Sequence, residues 1–232
     1  MLPYAVKRSG GVLNGKKAEK PRRKVQMAGS VSKENEYLKK KEIKPSAFLN
    51  PVPLVMCSSG DMDNSDIITL AWCGTVNSDP PMLSLSVRKS RFSHHLILEK
   101  GKACVNLVSA ELVKAADFCG VRSGRDTDKF KAAGLTKVAS PLYGLPMIGE
   151  SPVSIECSVK QVIELGSHDM FLMGIDAVCA AETLFDEKGA VDLRKARLVA
   201  YSHGEYYELG KILGFFGFSV AGGKALRRRA RK

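Results

Sequence analysis

An alternating strand, set between a proline-closed turn and a cationic helix start, is the feature that most constrains this chain. Residues 75–81 read Thr-Val-Asn-Ser-Asp-Pro-Pro, and residues 82–87 then alternate apolar side chains with serines. A period of two predicts a β-strand whose two faces meet different surroundings. Arg88, Ser90 and Ser93 follow, where a helix is expected to begin. Free N–H groups at a helix start, with fixed cations, suit the phosphate of a nucleotide-like cofactor.

Short strands dominate the rest of the pattern. Aromatic residues in 206–213 and 215–220 are expected to dock on the core or on a partner subunit, and 166–169 predicts a hairpin-like turn. No regular alternation of strand and helix is present, so a closed β-barrel with helical connections is favoured over a doubly wound sheet. Strands are expected over 53–58, 66–76, 82–88, 104–108, 153–164, 170–183 and 198–201, and helices over 90–100, 110–119 and 126–133.

The formal net charge of +12 lies at the two ends of the chain. Residues 1–44 hold 13 Lys and Arg against 4 Glu, and residues 221–232 hold 6 Lys and Arg with no acidic residue. Residues 45–220 hold 17 basic and 20 acidic residues. This predicts a basic flexible N-terminal extension over 1–44, a folded domain over 45–220 and a basic C-terminal tail over 221–232. Such tails are usually solvated, but they can also bind polyanions.

Several classes of function are excluded by what the sequence lacks. The six cysteines form no Cys-x-x-Cys pair and have no zinc-like spacing with histidine, so no metal is expected and all six are read as reduced. No apolar run is long enough to span a membrane, and no secretory signal is evident, which indicates a cytoplasmic protein. Glycine-rich dinucleotide and P-loop motifs are absent as well.

Five further residues each allow a structural and a functional interpretation. Trp72, the only tryptophan, is either a core residue or a wall for a flat ligand. His168 is a turn residue or a titratable donor near a cofactor, and Lys129 is a surface lysine or a cation for a developing anion. Asn77 and Ser78 form an ordinary turn or present their backbone to a planar heterocycle.

Taken in order, these elements resemble the flavin reductase-like, FMN-binding split-barrel family, and most closely its flavoredoxin branch. The motifs are Thr-Leu-Ala-Trp at 69–72, Asn-Ser-Asp-Pro-Pro at 77–81, Arg-Lys-Ser-Arg-Phe-Ser at 88–93, Ser-Gly-Arg-Asp at 123–126 and Gly-Ser-His at 166–168. The likeness covers about residues 45–220. It implies a mainly β (α+β), Greek-key-like split barrel with helical connections, which forms a homodimer and binds FMN without a covalent bond.

The resemblance also implies roles for particular residues. Trp72 would lie beside the flavin ring, Arg88 at the phosphate, and Lys129 and His168 would act as catalytic groups at the pocket border. The family often has Asn where this chain has Asp66, and a negative charge there either disfavours the anionic reduced flavin or points away. The cofactor-binding residues implied are Thr69, Ala71, Trp72, Asn77, Ser78, Arg88, Ser90, Ser93, Lys129, His168 and Tyr201.

The expected function is therefore that of an FMN-dependent oxidoreductase. It would be either an NAD(P)H:flavin reductase, with NADH or NADPH as electron donor, or a flavoredoxin-like carrier that exchanges electrons with a redox protein. The alternative is a non-enzymatic homodimeric barrel whose basic tails bind polyanions. The acidic balance of residues 45–220 counts against nucleic acid as the main partner.

Overall fold

Twelve strands and three α-helices form the regular structure of residues 38–223, which a computed structural model describes. The helices are α1 (Phe92–Lys100), α2 (Val113–Val121) and α3 (Lys129–Ala132). Short 3₁₀ turns occur at Ala110–Leu112, Glu182–Leu184, Leu193–Ala196 and Phe218–Val220. The strands are β1 (Val52–Pro53), β2 (Val55–Gly60), β3 (Ser65–Leu70), β4 (Cys73–Ser78), β5 (Pro81–Arg88), β6 (Lys102–Leu107), β7 (Lys137–Ala139), β8 (Pro146–Ile148), β9 (Val153–Glu164), β10 (His168–Ala180), β11 (Val199–Ser202) and β12 (Glu205–Glu208).

Seven of the strands form one antiparallel sheet in the order β3-β2-β6-β9-β10-β5-β4. The sheet curls into a barrel. Its edge strand β3 pairs with β2 and also contacts β5 on the opposite side of the barrel. The expected alternation in β5 is present: Leu83, Leu85 and Val87 are buried, while the serines between them are only half-buried. The register of β10 on β5 places His168 opposite Arg88. Two sequence-distant polar residues therefore meet at one end of the barrel.

The core has two main parts, one on each face of the sheet. Inside the barrel, Leu85, Phe171 and Met173 pack with apolar residues from the other strands. On the outer face, Met56 and Ile67 pack under α2 and α3. The alternation along β2 and β3 supplies both layers at once, since successive side chains point to opposite faces. The helices are thereby fixed against β3, at the edge where the candidate site lies.

The structure corrects several predicted boundaries. The strand expected over 66–76 is two strands, β3 and β4, separated by Ala71 and Trp72. His168 belongs to β10 and not to the preceding turn, and the helix expected over 126–133 is only the four residues of α3. The helix expected over 110–119 is the 3₁₀ turn Ala110–Leu112 followed by α2, and the side chain of Ser109, before that turn, makes no capping hydrogen bond.

Only the start of the aromatic C-terminal stretch docks on the core, where Tyr206 of β12 packs against the cluster that contains Met56 and Ile67. After β12 the chain is largely irregular, and Leu213, Phe216 and Val220 are exposed. The remaining expectation, docking on a partner subunit, stays a prediction. Residues 38–46 contain no helix or strand, and residues 1–37 and 224–232 of the two predicted tails lie outside the described part of the chain. Within 38–223, no helix is both long enough and apolar enough to cross a bilayer.

A buried carboxylate holds the turn between β7 and β8. Glu156 on β9 is fully buried and accepts hydrogen bonds from Ser140 Oγ at 2.5 Å, Leu142 N at 3.0 Å and Tyr143 N at 2.8 Å. These three donors come from residues 140–143, which have no strand partner of their own. The carboxylate thus replaces the backbone acceptors that a longer ladder would have provided.

Replacing Glu156 with glutamine should lower the free energy of unfolding by about 1–2 kcal/mol. The amide retains one acceptor oxygen, but its NH₂ group faces a donor that the carboxylate had satisfied. Urea denaturation followed by circular dichroism measures the loss. The matched control is Glu187→Gln, an exposed residue that should change stability by no more than about 0.5 kcal/mol. Equal stability of the two variants would contradict the anchoring role.

Candidate functional site

Two adjoining clefts lie where β3, β5, α1 and α2 meet. The first, here called the arginine cleft, has a volume of about 420 Å³. Its lining is mostly basic or hydroxyl-bearing, and it consists of Asp66, Ile68, Arg88, Ser90, Arg91, Phe92, Ser93, Cys119, Arg122, Ser123, Gly124, Arg125 and Lys129.

The second cleft, here called the tryptophan cleft, has a volume of about 310 Å³. Ile68, Arg88 and Arg91 line both clefts, so the two are continuous. The tryptophan cleft contains aromatic and small side chains, and its other lining residues are Leu54, Thr69, Leu70, Ala71, Trp72, Ser86, Asp117, Gly120, Val121, His168, Tyr201 and Tyr206.

The junction of β5 and α1 supplies the cationic edge of the arginine cleft. A hydrogen bond of 3.0 Å from Arg91 N to Arg88 O turns the chain from the strand into the helix. Arg91 is the extended N-cap of α1, and no side chain caps the helix. The amides of Phe92 and Ser93 in the first turn therefore have no acceptor within the helix. Two guanidinium groups and a helix N-terminus meet at one edge, as the sequence predicted.

A buried ion pair forms the floor of the arginine cleft. Lys129 Nζ lies 3.0 Å from Asp66 Oδ1 and donates to the carbonyl oxygens of Ile67 at 2.6 Å and Cys119 at 3.2 Å. Ser93 Oγ donates a short hydrogen bond to Asp66 Oδ2. Asp66, Ser93 and Lys129 are all buried. The Asp66 carboxylate therefore faces the cleft, but its charge is compensated by Lys129.

These contacts limit how Lys129 and Ser93 can interact with a bound ligand. Lys129 donates hydrogen bonds to two carbonyl oxygens and forms an ion pair with Asp66, so its charge is already engaged within the protein. It lines the arginine cleft and not the tryptophan cleft, so the structure does not place it as a free cation beside a ring. The Ser93 hydroxyl is likewise engaged by Asp66, which leaves its backbone amide as the donor at the helix start.

The loop between α2 and α3 closes the arginine cleft. Arg125 Nη1 donates to Ser90 O at 3.1 Å, and its guanidinium lies 5.8 Å from the centroid of the Phe92 ring. Arg125 N in turn donates to Ser123 Oγ at 3.2 Å. Gly124 passes so close to Asp66 that a Cβ there would overlap the carboxylate and would come within 2.7 Å of Phe92. Only glycine leaves this part of the cleft open.

The break between β3 and β4 exposes Trp72 at the mouth of the tryptophan cleft, where it is 39% exposed. Thr69, which also lines this cleft, donates its hydroxyl to Ala116 O at 2.5 Å and thus fixes α2 against β3. Facing side chains come from β11 and β12: the Tyr201 and Tyr206 ring centroids are 5.8 Å apart. The cleft thus combines flat apolar surfaces from two separate sheets.

Tyr206 is held by a carboxylate at the edge of the same cleft. Its hydroxyl donates to Asp117 Oδ1 at 2.8 Å. Burial and this hydrogen bond raise the pKa of Tyr206 to about 12, so the phenol stays protonated at neutral pH. Sequence reasoning did not single out Tyr206 or Asp117, although both stand in segments that it described.

His168 lies at the start of β10 and lines the tryptophan cleft. Burial and the neighbouring positive charge of Arg88 lower the pKa of His168 below its ordinary value, so the imidazole is mainly neutral at pH 7. Ser167 Oγ is 2.9 Å from Nδ1. A hydroxyl that donates to Nδ1 leaves the proton on Nε2, and His168 then offers one neutral N–H donor.

The structure does not bring Asn77 and Ser78 to either cleft. Both are exposed at the end of β4, and Asn77 Nδ2 donates to Pro80 O at 2.9 Å within the turn. Ser78 pairs with Pro81 at one end of β5, whereas Arg88 is at the other end of that strand. Eight residues of extended strand span roughly 25 Å. The resemblance placed this turn and the cationic edge at one cofactor, but within the described chain they do not share a cleft.

Comparison with known proteins identifies the family. Residues 46–210 match the family described as "Flavin reductase like domain". Flavoredoxin of Desulfovibrio vulgaris (Miyazaki F) is similar to this chain with a TM-score of 0.73 and 30% sequence identity, covering 79% of this chain and 100% of that one. For flavoredoxin from Methanosarcina acetivorans the TM-score is 0.71 and the identity 27%, with the same coverage. FMN reductase (NADH) RutF of Escherichia coli is 25% identical over 124 residues, covering 53% of this chain and 73% of that protein.

The chain belongs to the flavin reductase-like family, whose members are concerned with flavin-related oxidoreduction or electron transfer. Within that family, the two flavoredoxin structures support the flavoredoxin branch. The predicted family and the predicted mainly β, split-barrel fold are thus confirmed.

Proposed function

We propose that this protein is an FMN-binding oxidoreductase whose flavin lies across the two clefts. The main support for this proposal is that the two clefts are continuous, since Arg88 and Arg91 line both of them. A flat ring with a charged tail fits such a pair, because one cleft offers aromatic walls and the other offers cations. When bound, FMN would supply the hydride or electron exchange, as flavins do in general.

The arginine cleft suits the phosphate of FMN. Arg88 can serve two phosphate oxygens at once, and the Ser90 hydroxyl and the Ser93 amide stand at the same helix start. Because Gly124 has no side chain, the loop that carries it does not fill the arginine cleft. Lys129 would contribute indirectly, since it neutralises Asp66 and so removes a negative charge that would repel a phosphate.

The tryptophan cleft suits the flavin ring. Trp72 and Tyr201 would flank the ring, with Thr69 and Ala71 along one wall. His168 would direct a neutral N–H donor towards it, and a neutral donor stabilises added negative charge without a fixed countercharge. Asn77 and Ser78 would reach a flavin only in a partner subunit, which the homodimer implied by the resemblance would allow.

Titration with FMN tests the proposal. Wild-type protein should quench FMN fluorescence with one flavin per subunit. Arg88→Gln should weaken binding about tenfold, the effect of losing roughly 1.4 kcal/mol of charge-assisted hydrogen bonding. The matched control is Arg194→Gln, whose side chain pairs with Asp192 outside both clefts. Wild-type protein that neither quenches FMN nor retains it on a desalting column would contradict the proposal.

Anaerobic mixing with NADH and with NADPH separates the two forms of the proposed activity. A reductase bleaches the visible flavin absorbance directly, whereas a flavoredoxin-like carrier stays oxidised until a redox protein supplies electrons. The similarity to FMN reductase (NADH) RutF supports the first form, and the similarity to flavoredoxins supports the second. The non-enzymatic alternative with polyanion-binding tails is not favoured by the family.

A further inference from the structure

The arginine cleft holds more positive charge than one phosphate requires. Four arginines line it, namely Arg88, Arg91, Arg122 and Arg125. The only carboxylate in the lining is Asp66, and Lys129 already compensates it. Among the described residues, none of the four guanidinium groups forms an ion pair with an acidic side chain. The cleft therefore carries four uncompensated positive charges.

A flavin phosphate would balance only half of this charge. A phosphate monoester carries about −1.5 to −2 at pH 7. With that group bound, about two positive charges remain on arginines that line one cleft of about 420 Å³. The four arginines are exposed, so solvent and salt screen their mutual repulsion, but the cleft keeps a net positive charge. A second anionic group of about two charges would remove it.

The positions of the arginines divide them into two pairs. Arg88 and Arg91 line both clefts, so they flank the tail of any ligand whose ring lies in the tryptophan cleft. Arg122 and Arg125 line the arginine cleft alone and belong to the loop between α2 and α3. Arg125 is anchored on Ser90 O by one of its amino groups, which leaves its other donors available.

We infer that Arg122 and Arg125 form a second phosphate subsite, which takes a phosphate group of the dinucleotide that donates electrons to the flavin. The inference rests on the proposed function and adds the two residues that would hold a phosphate of its dinucleotide substrate. Two guanidinium groups can bind one phosphate group through paired N–H donors. That group is either the pyrophosphate bridge, common to NADH and NADPH, or the 2′-phosphate that only NADPH carries.

Calorimetric titration of FMN-saturated protein tests the subsite without measuring turnover. The probes are ADP for the pyrophosphate and adenosine 2′,5′-bisphosphate for the 2′-phosphate. At least one of them should bind the wild type, and Arg122→Gln should weaken that binding at least tenfold. Arg122→Lys keeps the positive charge but loses the paired N–H donors of the guanidinium group, so it should weaken probe binding less than Arg122→Gln does. Arg194→Gln again serves as the control outside both clefts. The probe that responds more strongly identifies the source of the phosphate.

Three results would overturn the inference. The first is equal affinity of both probes for the wild type and for Arg122→Gln. The second is failure of both probes to bind the wild type, which would leave these arginines to another anion, such as an acidic protein surface. The third is a tenfold loss of FMN affinity in Arg122→Gln, which would assign Arg122 to the flavin's own phosphate. If FMN itself fails to bind the wild type, the proposed function falls, and titration of the flavin-free protein still decides the subsite.

Discussion

Replacing Lys129 with methionine is expected to lower the free energy of unfolding by about 3–5 kcal/mol, the range measured when one partner of a buried ion pair is removed. The substitution leaves the Asp66 carboxylate, which is 2% exposed, without its cation, and it leaves the carbonyls of Ile67 and Cys119 without their donor. Methionine is similar in length to lysine, so the loss reports charge and hydrogen bonding more than volume. Urea denaturation of the variant measures the change.

The double variant Lys129→Met with Asp66→Asn separates the ion pair from the rest of the site. It removes both charges together, and the amide oxygen introduced by Asp66→Asn can still accept a hydrogen bond from Ser93. It should recover at least half of the lost stability, because no uncompensated charge remains buried. Lys131→Met, on the exposed face of the same short helix, should change stability by no more than about 0.5 kcal/mol.

FMN binding in the same variants distinguishes two roles for Lys129. If Lys129 acts by neutralising Asp66, the single variant binds FMN poorly, since an open negative charge faces the phosphate, and the double variant recovers binding. If Lys129 instead stabilises the reduced flavin directly, the double variant still shows a lowered flavin potential. A double variant that is as unstable as the single one would contradict the role of the pair in the fold.

The local pattern of this chain predicted those parts of the fold that depend on near neighbours. The alternation over 82–87 correctly gave β5, because each serine and each apolar residue there meets a different face of the barrel. The cationic start of α1 was predicted because Arg88 and Ser93 are close in sequence. The break at Ala71 and Trp72 was missed, since neither residue is a turn former and β-prone residues flank both.

The parts of the site that depend on distant neighbours could not be predicted. Lys129 meets Asp66 across 63 positions of the sequence, and only the packing of α3 against β3 brings them together. Its sequence neighbours suggested an exposed lysine or a catalytic cation, and neither describes a buried ammonium that donates to two carbonyls and pairs with a carboxylate. Asn77 and Ser78 were placed with Arg88 because the motifs are adjacent, but an extended strand separates its ends by the whole length of the barrel.

Replacing Gly124 with alanine is expected to weaken FMN binding by about ten- to a hundredfold and to lower the free energy of unfolding by about 1–3 kcal/mol. The new Cβ would overlap the Asp66 carboxylate and press on Phe92. The carboxylate cannot retreat without breaking its contacts with Lys129 and Ser93, so the loop has to move. A displaced loop carries Arg122 and Arg125 away from the remainder of the arginine cleft.

Fluorescence titration and urea denaturation of Gly124→Ala measure the two effects separately. Gly74→Ala is the matched control, because a Cβ at Gly74 would have no heavy atom within 4 Å and its φ does not require glycine. That control should bind FMN as the wild type does. If Gly124→Ala binds FMN with unchanged affinity, the loop does not shape the phosphate site, and the arginines would have to reach their ligand from a conformation in which the loop stands away from Asp66.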